Sequence, residues 1–290
     1  SAARHTACGH WTMRHAEQAL AWWARGLLGA GLLASACAAW AASDAGPASA
    51  CAKPVYLTID TGHMGVAPLV QQVLERQHVK ATFFLANERT QAVGDKPAGT
   101  TLDDHWAPWW KALAQQGHDF GSHTWDHIVY KGDKPEGLLV APTAGEQTGQ
   151  RLSLSPAQYC GQIQRSAQRF EAMTGQRMRA IFRAPGGKTS PKLLAIAHQC
   201  GWQHVPWTPA GFLGDELASD TFPNAALLKQ ALTKVGQGDI LLMHLGIWSR
   251  QDAWAPAVLE PLIVGLKAKG LCFATLREHP DFRHVGAAPR

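Results

Sequence analysis

Seven short apolar runs alternate with stretches of helical spacing between residues 55 and 275, and this alternation restricts the fold more than any other feature. The runs cover 55–59, 81–85, 118–122, 180–183, 204–207, 240–244 and 271–275. Helical spacing fills 68–77, 108–116, 155–175, 191–199, 224–235 and 256–269. Strands separated by helices connect most simply as parallel neighbours, so the class is α/β with a parallel sheet. Alternation alone leaves barrel and open sheet undecided. Ser155 and Pro156 supply a cap and a first-turn proline for the longest helix, and Gly175 stops it. Residues 128–155 are polar, Gly/Pro-rich and aperiodic, and read as a surface loop over one face.

The N-terminal 41 residues read as a leader. Arg14 and Arg25 precede an apolar run at 26–33, and Ala39-Trp40-Ala41 offers a small-x-small cleavage pattern; Met13 is a candidate true start. The run is too short for a comfortable membrane span. Leu33 to Cys37 partly resembles a lipoprotein box with its spacing off by one, so lipid anchoring at Cys37 is a minor alternative to a periplasmic or secreted product. Residues 42–52 read as a linker and 53–285 as the folded domain. Hydrophobic residues at 46% and charged residues at 17% supply a sizeable core and argue against disorder. A net charge of +5 without a long basic run argues against nucleic acid as a partner. Cys51, Cys160, Cys200 and Cys272 remain after the leader, with no C-x-x-C pair, which permits disulfides but not a cysteine zinc cluster. Oligomeric state has no signature in the sequence.

The unusual polar residues fall at the ends of predicted strands. Asp60 follows the first, His123 and His127 the third, Arg183 ends the fourth and His244 the sixth. In parallel α/β folds the C-terminal strand edge is where sites are built. His123 and His127 are four apart, and on a helical turn both imidazoles point the same way and suit zinc, cobalt or nickel. Taken singly, Asp60 reads equally as a helix cap, Arg183 as an ion pair and His244 as a core histidine. Together they make a hydrolase kit: a metal to polarise a carbonyl, a carboxylate to take a proton from water, and a histidine to protonate the leaving nitrogen.

The ordered motifs resemble those of the polysaccharide deacetylases of the NodB-homology type, carbohydrate esterase family four. Thr58-Ile59-Asp60-Thr61-Gly62 stands for T-F-D-D-G, and His123-Thr124-Trp125-Asp126-His127 for H-[ST]-x-x-H. Arg183-Ala184-Pro185-Gly186 stands for R-x-P-[YF] without its aromatic, and Leu242-Met243-His244 for L-x-H. The resemblance covers roughly 53–280 and implies a distorted seven-stranded (β/α) barrel. It implies Asp60 as general base, oriented by Arg183, with His123 and His127 as metal ligands and His244 as general acid. It further implies the Gly186 N–H at the oxyanion and Leu242 against the acetyl methyl. The implied reaction removes N-acetyl groups from an N-acetylhexosamine polysaccharide such as peptidoglycan, a chitin-like chain or a matrix glycan. The alternatives are a degenerate glycan-binding member, or a hydrolase of small amides or O-acetyl esters.

Thr61 replaces the family's second aspartate, the usual third protein ligand of the metal. Asp104, or its neighbour Asp103, is the candidate replacement from the loop after the second strand, and Asp126 a weaker one. The fourth motif is indistinct: Trp207 fits its start and Asp215 is the only nearby carboxylate. Gly186-Gly187-Lys188-Thr189 mimics the end of a phosphate loop but has Phe182 where that loop needs glycine. No G-x-S-x-G occurs, against a serine hydrolase of the α/β type. Trp106, Trp109 and Trp110 suit sugar stacking, but their spacing points to packing. On the implied barrel, Cys51 and Cys272 share the N-terminal face and can bond. Cys160 and Cys200 fall at opposite faces, more than about 20 Å apart by helix rise, and should not.

Overall fold

The structure, a computed structural model, describes residues 51–255 and 257–290. The leader, Cys37 and nearly all of the linker therefore lie outside the described residues. In chain order the elements are β1 (Pro54–Asp60), α1 (Ala67–Arg76), β2 (Thr82–Leu85), α2 (Ala107–Gln115) and β3 (Asp119–Ser122). Then come β4 (Ile128–Lys134), β5 (Gly137–Pro142), β6 (Leu152–Leu154), α3 (Pro156–Thr174), β7 (Ile181–Phe182) and α4 (Pro191–Gln199). The chain closes with β8 (Gln203–His204), α5 (Asn224–Lys234), β9 (Ile240–His244), α6 (Leu259–Ala268) and β10 (Cys272–Ala274).

Seven strands form one parallel sheet. β9, β1, β2, β3, β7 and β8 lie in that order, and the sheet curls into a distorted barrel. The last strand, β10, does not sit between β1 and β9. It pairs with the first residues of β1 on the edge that β2 takes over at Thr58. The gap between β8 and β9 is spanned by the segment after β8, where the Thr208 N–H donates to Ile240 O and Phe212 bridges Leu242.

Side-chain parity divides the interior. Val55, Leu57 and Ile59 of β1 pack outward with helix residues such as Val70, Leu74 and Leu262. The alternate residues turn inward: Tyr56 joins Phe84, Ile181, Val205, Ile240, Ala274 and Phe282 in a second apolar cluster. Strands covered on both faces need no polar alternation, which is why they read as apolar runs. The same parity carries Thr58 and Asp60 up the inward column of β1, and Leu242 and His244 up that of β9. Trp106 and Trp110 are fully buried, and Trp109 and Trp110 contact Phe83 edge-on. They are packing residues. The C-terminal tail crosses the bottom of the sheet, pairing with 178–180 through Gly286 and Ala288, so the fold runs past 285.

Two expectations are overturned. Residues 128–155 are not a loop but carry the antiparallel sheet β4–β5–β6. Only one face of it is buried, by Leu138 and Val140, and β4 is largely exposed, so its polar outer residues hid the strands. Cys160 and Cys200 are bonded, with Cα atoms 6.3 Å apart, as are Cys51 and Cys272. The helix-rise argument assumed strands as long as the helices. β7 and β8 have two residues each, and α4 begins high, where Ser190 and Lys192 bond the β4–β5 hairpin. The end of α4 thus reaches only the first turns of α3.

Candidate active site

Asp60 ends β1 directly beside His244 of β9, and the two are paired in register. Gly62 then crosses the loop after β9 so closely that a Cβ on it would stand 2.0 Å from the Gly246 carbonyl oxygen, so only glycine fits. Arg183, two residues along the inward face from Ile181, is fully buried. Its guanidinium donates to Asp60 Oδ1 at 2.9 Å, Thr58 Oγ1 at 2.7 Å and Val205 O at 3.1 Å. Such a fork fixes the carboxylate's orientation as well as its charge. Burial alone would raise the Asp60 carboxyl. The positive charges of Arg183 and His244, the adjacent His123 and the Arg183 hydrogen bond outweigh it and hold the group below the usual carboxylate range.

His123 follows β3 and lies with its Nε2 3.4 Å from Asp60 Oδ2. Its Nδ1 donates to the Arg183 carbonyl at 2.8 Å, which fixes the tautomer and leaves Nε2 as a lone-pair donor. Burial holds this imidazole down at about 4, so it is neutral at any ordinary pH. His127 stands next to it, ring centroids 4.7 Å apart. The segment between them is not the expected helical turn: Thr124 and His127 adopt φ of 62° and 45°, and it is this left-handed backbone that brings the rings together. The Thr143 hydroxyl donates to His127 O and accepts from His127 Nδ1 at 2.5 Å, which frees the second Nε2.

His244 is gripped by Asp215, whose Oδ1 is 3.0 Å from Nδ1 and whose Oδ2 accepts from the His244 backbone N–H at 2.7 Å. Burial would lower this imidazole, but Asp215, Asp60 and Glu216 raise it to about 9. It is a cation at neutral pH, with Nε2 3.9 Å from Glu216 Oε2. Asp215→Asn should therefore draw the alkaline limb of the pH–rate profile downward, because the acid form of His244 is lost at lower pH once the carboxylate charge is gone. An alkaline limb that stays in place would count against His244 as the acid.

The remaining expected residues divide. Leu242 faces inward and is buried, and Gly186 holds φ of 65° in the turn after Arg183. Trp207 packs on the same turn, where a Cβ at Gly187 would stand 2.4 Å from its ring. Thr61 lies in the site, but its hydroxyl accepts from the Ala86 N–H at 3.0 Å and serves the backbone. Asp104 does not belong to the site: it is solvent-exposed and paired with Arg169 of α3 at 2.6 Å. The polar segment before α2 folds outward along α3, so Asp104 does not turn inward. Asp103 bonds Thr100, and Asp126 is taken by Gln162.

Several residues of the site had no motif to mark them. Thr143 comes from the end of β5, and Glu216 places Oε2 3.9 Å from His244 Nε2. Glu88, Arg89, Trp125 and Trp248 line a cavity of about 950 Å³ that reaches Asp126 and Thr143. His244 and Asp215 also wall a second cavity of about 280 Å³ on the side of Gly246.

The donor chemistry suits a divalent cation: two imidazoles with their Nδ1 atoms engaged and a carboxylate beside them. Among the described residues no three His, Cys, Asp or Glu side chains are already gathered as a metal cluster. His123 and His127 are the pair around which one would form.

Residues 48–205 match the family model described as polysaccharide deacetylase. A chitooligosaccharide deacetylase of Azorhizobium caulinodans is 24% identical over 77% of this chain and 92% of its own. A peptidoglycan-N-acetylglucosamine deacetylase of Bacillus cereus is 22% identical over 80% and 90%. The fold is that of a family 4 acetyl xylan esterase from Clostridium thermocellum, solved with a cobalt ion, at a TM-score of 0.59, 22% identity and coverage of 82% and 93%.

Proposed function

Because the chain belongs to the polysaccharide deacetylase family, we propose that it is a hydrolase removing N-acetyl groups from an N-acetylhexosamine-containing polysaccharide. The observation that carries this reading is the convergence of an Arg183-bound carboxylate, two free imidazole Nε2 atoms and a cationic His244 on one strand edge. A divalent metal held by His123 and His127, most simply zinc, with cobalt or nickel as alternatives, would polarise the acetyl carbonyl and acidify water. Asp60 takes the proton from that water, its carboxylate kept ionised and oriented by Arg183. The Gly186 N–H faces the developing oxyanion, and Leu242 packs against the acetyl methyl. His244 delivers its Nε2 proton to the leaving nitrogen, with Asp215 holding the ring. One C–N bond breaks and one C–O bond forms, giving acetate and a free amine.

The cavity that reaches Thr143 is large enough for several sugar units, and Trp125 and Trp248, each with an arginine stacked on one face, line it. Export to the periplasm or beyond is part of the proposal, supported by two disulfides, which persist in oxidising compartments. No described helix is long and apolar enough to cross a membrane.

Acetate release from chitin oligomers and from peptidoglycan, with zinc supplied, tests the reading. Wild-type protein should release acetate and His127→Ala should not. Binding of these glycans without acetate release under zinc, cobalt or nickel would replace it with a non-catalytic glycan-binding role, which the loss of the second aspartate at Thr61 favours. Release from small amides or acetyl esters alone would redirect it to those substrates.

A further inference from the structure

The carboxylate missing at Thr61 has a neighbour able to replace it. The Thr61 N–H donates to Phe84 O and its hydroxyl accepts from Ala86 N–H, so the end of β2 runs directly alongside position 61. Two residues beyond Ala86 lies Glu88. The loop that carries it is tied to the histidine turn: His123 N–H donates to Leu85 O, and Asn87 N–H to Trp125 O at 2.8 Å. Thr101 clamps Glu88 from the other side, accepting from its N–H and donating its own backbone N–H to Glu88 O.

The backbone of Glu88 is thus fixed, while its side chain has no settled role. Oε2 is buried and has no hydrogen-bond partner. A carboxylate oxygen removed from water without a donor or a cation costs several kcal/mol, and native proteins rarely leave one so. The group lies in the wall of the cavity that also contains Trp125 and the Thr143 that fixes His127. Its negative charge acts on His123 and on His63. His63 itself is occupied, its Nδ1 accepting from the Gly65 N–H at 3.0 Å and its ring edge-on to Trp248.

We propose that Glu88 is the third protein ligand of the metal held by His123 and His127, supplying from the end of β2 the carboxylate that Thr61 does not supply from the end of β1. This rests on the two-histidine reading above. A His–His–Glu set suits zinc and leaves a coordination position open. A cation held by this set would give the buried Glu88 Oε2 the partner it lacks among the protein atoms. Asp60 then keeps its place on Arg183 and its freedom to act as the base.

The test is zinc affinity of the metal-stripped full chain, measured by competition with a chromophoric chelator and requiring no turnover. Glu88→Gln should weaken zinc at least tenfold while the melting temperature of the metal-free protein stays within about 2 °C of wild type. Thr61→Asp in the Glu88→Gln background should recover most of that loss, since it returns a carboxylate to the other strand. Asp104→Ala should change nothing. A wild-type affinity in Glu88→Gln overturns the proposal, as does a loss that Thr61→Asp fails to restore. His127→Ala separates the two levels. If it abolishes zinc binding while Glu88→Gln does not, only the role of Glu88 falls. If it leaves zinc binding intact, the two-histidine site falls as well.

Discussion

Asp60→Asn is expected to lower acetate release by about two to four orders of magnitude, the range usual for a positioned general base. The substitution keeps the shape of the side chain and one hydrogen-bonding oxygen for Arg183, so the geometry survives while the proton acceptor is lost. The same change leaves the Arg183 guanidinium buried opposite a neutral group and should also cost stability. The two effects separate by measurement: kcat on a chitin oligomer reads the first, thermal unfolding the second. A variant with near wild-type kcat would remove Asp60 from the chemistry. Linkage gives a second check. The folded carboxyl sits below its usual value, so its contribution to stability is present above the unfolded pKa of about 4. It is lost as the pH falls through the lower, folded value. Asp60→Asn should abolish that part of the acid sensitivity.

Arg183→Met should be the most damaging substitution to the fold, destabilising it by about 3–5 kcal/mol, the typical cost of removing one partner of a buried ion pair. Methionine fills much of the volume, but Asp60 is left as a buried anion without its cation, the Val205 and Pro206 carbonyls lose their donor, and Thr58 loses the donor to its hydroxyl. For a chain of this size each kcal/mol shifts Tm by roughly 2–4 °C, so a fall on the order of 10 °C is expected by calorimetry. Arg183→Lys should recover part of it, since one ammonium can reach Asp60 but cannot also serve the Val205 and Pro206 carbonyls. A Tm within about 2 °C of wild type in Arg183→Met would show that the pair contributes little. Because Arg183 also orients the base, Arg183→Lys should retain less activity than its stability alone predicts.

Local periodicity made much of this protein legible. An apolar run that ends in a polar residue marks the edge of a covered strand. The parity of that run decides whether the terminal side chain enters the barrel or the helix layer. Asp60, Arg183 and His244 could be placed this way because each follows its strand without a break, and His123 because it comes one residue after β3. Caps worked for the same reason: the Ser155 capping box and the left-handed Gly175 involve residues three or four apart.

Where position depends on distant packing, the sequence was silent or misleading. Asp104 and Glu88 lie in the same connection after β2, and composition ranks them equally. Only the ties of that loop to Trp125 and Thr101, and of Asp104 to Arg169, set Glu88 in a cavity wall and Asp104 in solvent. Thr143 reaches His127 because β5 folds back antiparallel on β4, a pairing carried by two buried side chains. The bond between Cys160 and Cys200 required knowing that β7 and β8 are two residues long and that α4 starts above the sheet. The sequence by itself therefore determined the strand edge and four of the residues on it, because those follow from periods of two and 3.6 along one chain. The tertiary structure alone decided that Asp104 pairs outward with Arg169 while Glu88 lies in a cavity wall with Trp125 and Thr143. That outcome depends on hydrogen bonds between segments tens of residues apart, which no local pattern encodes.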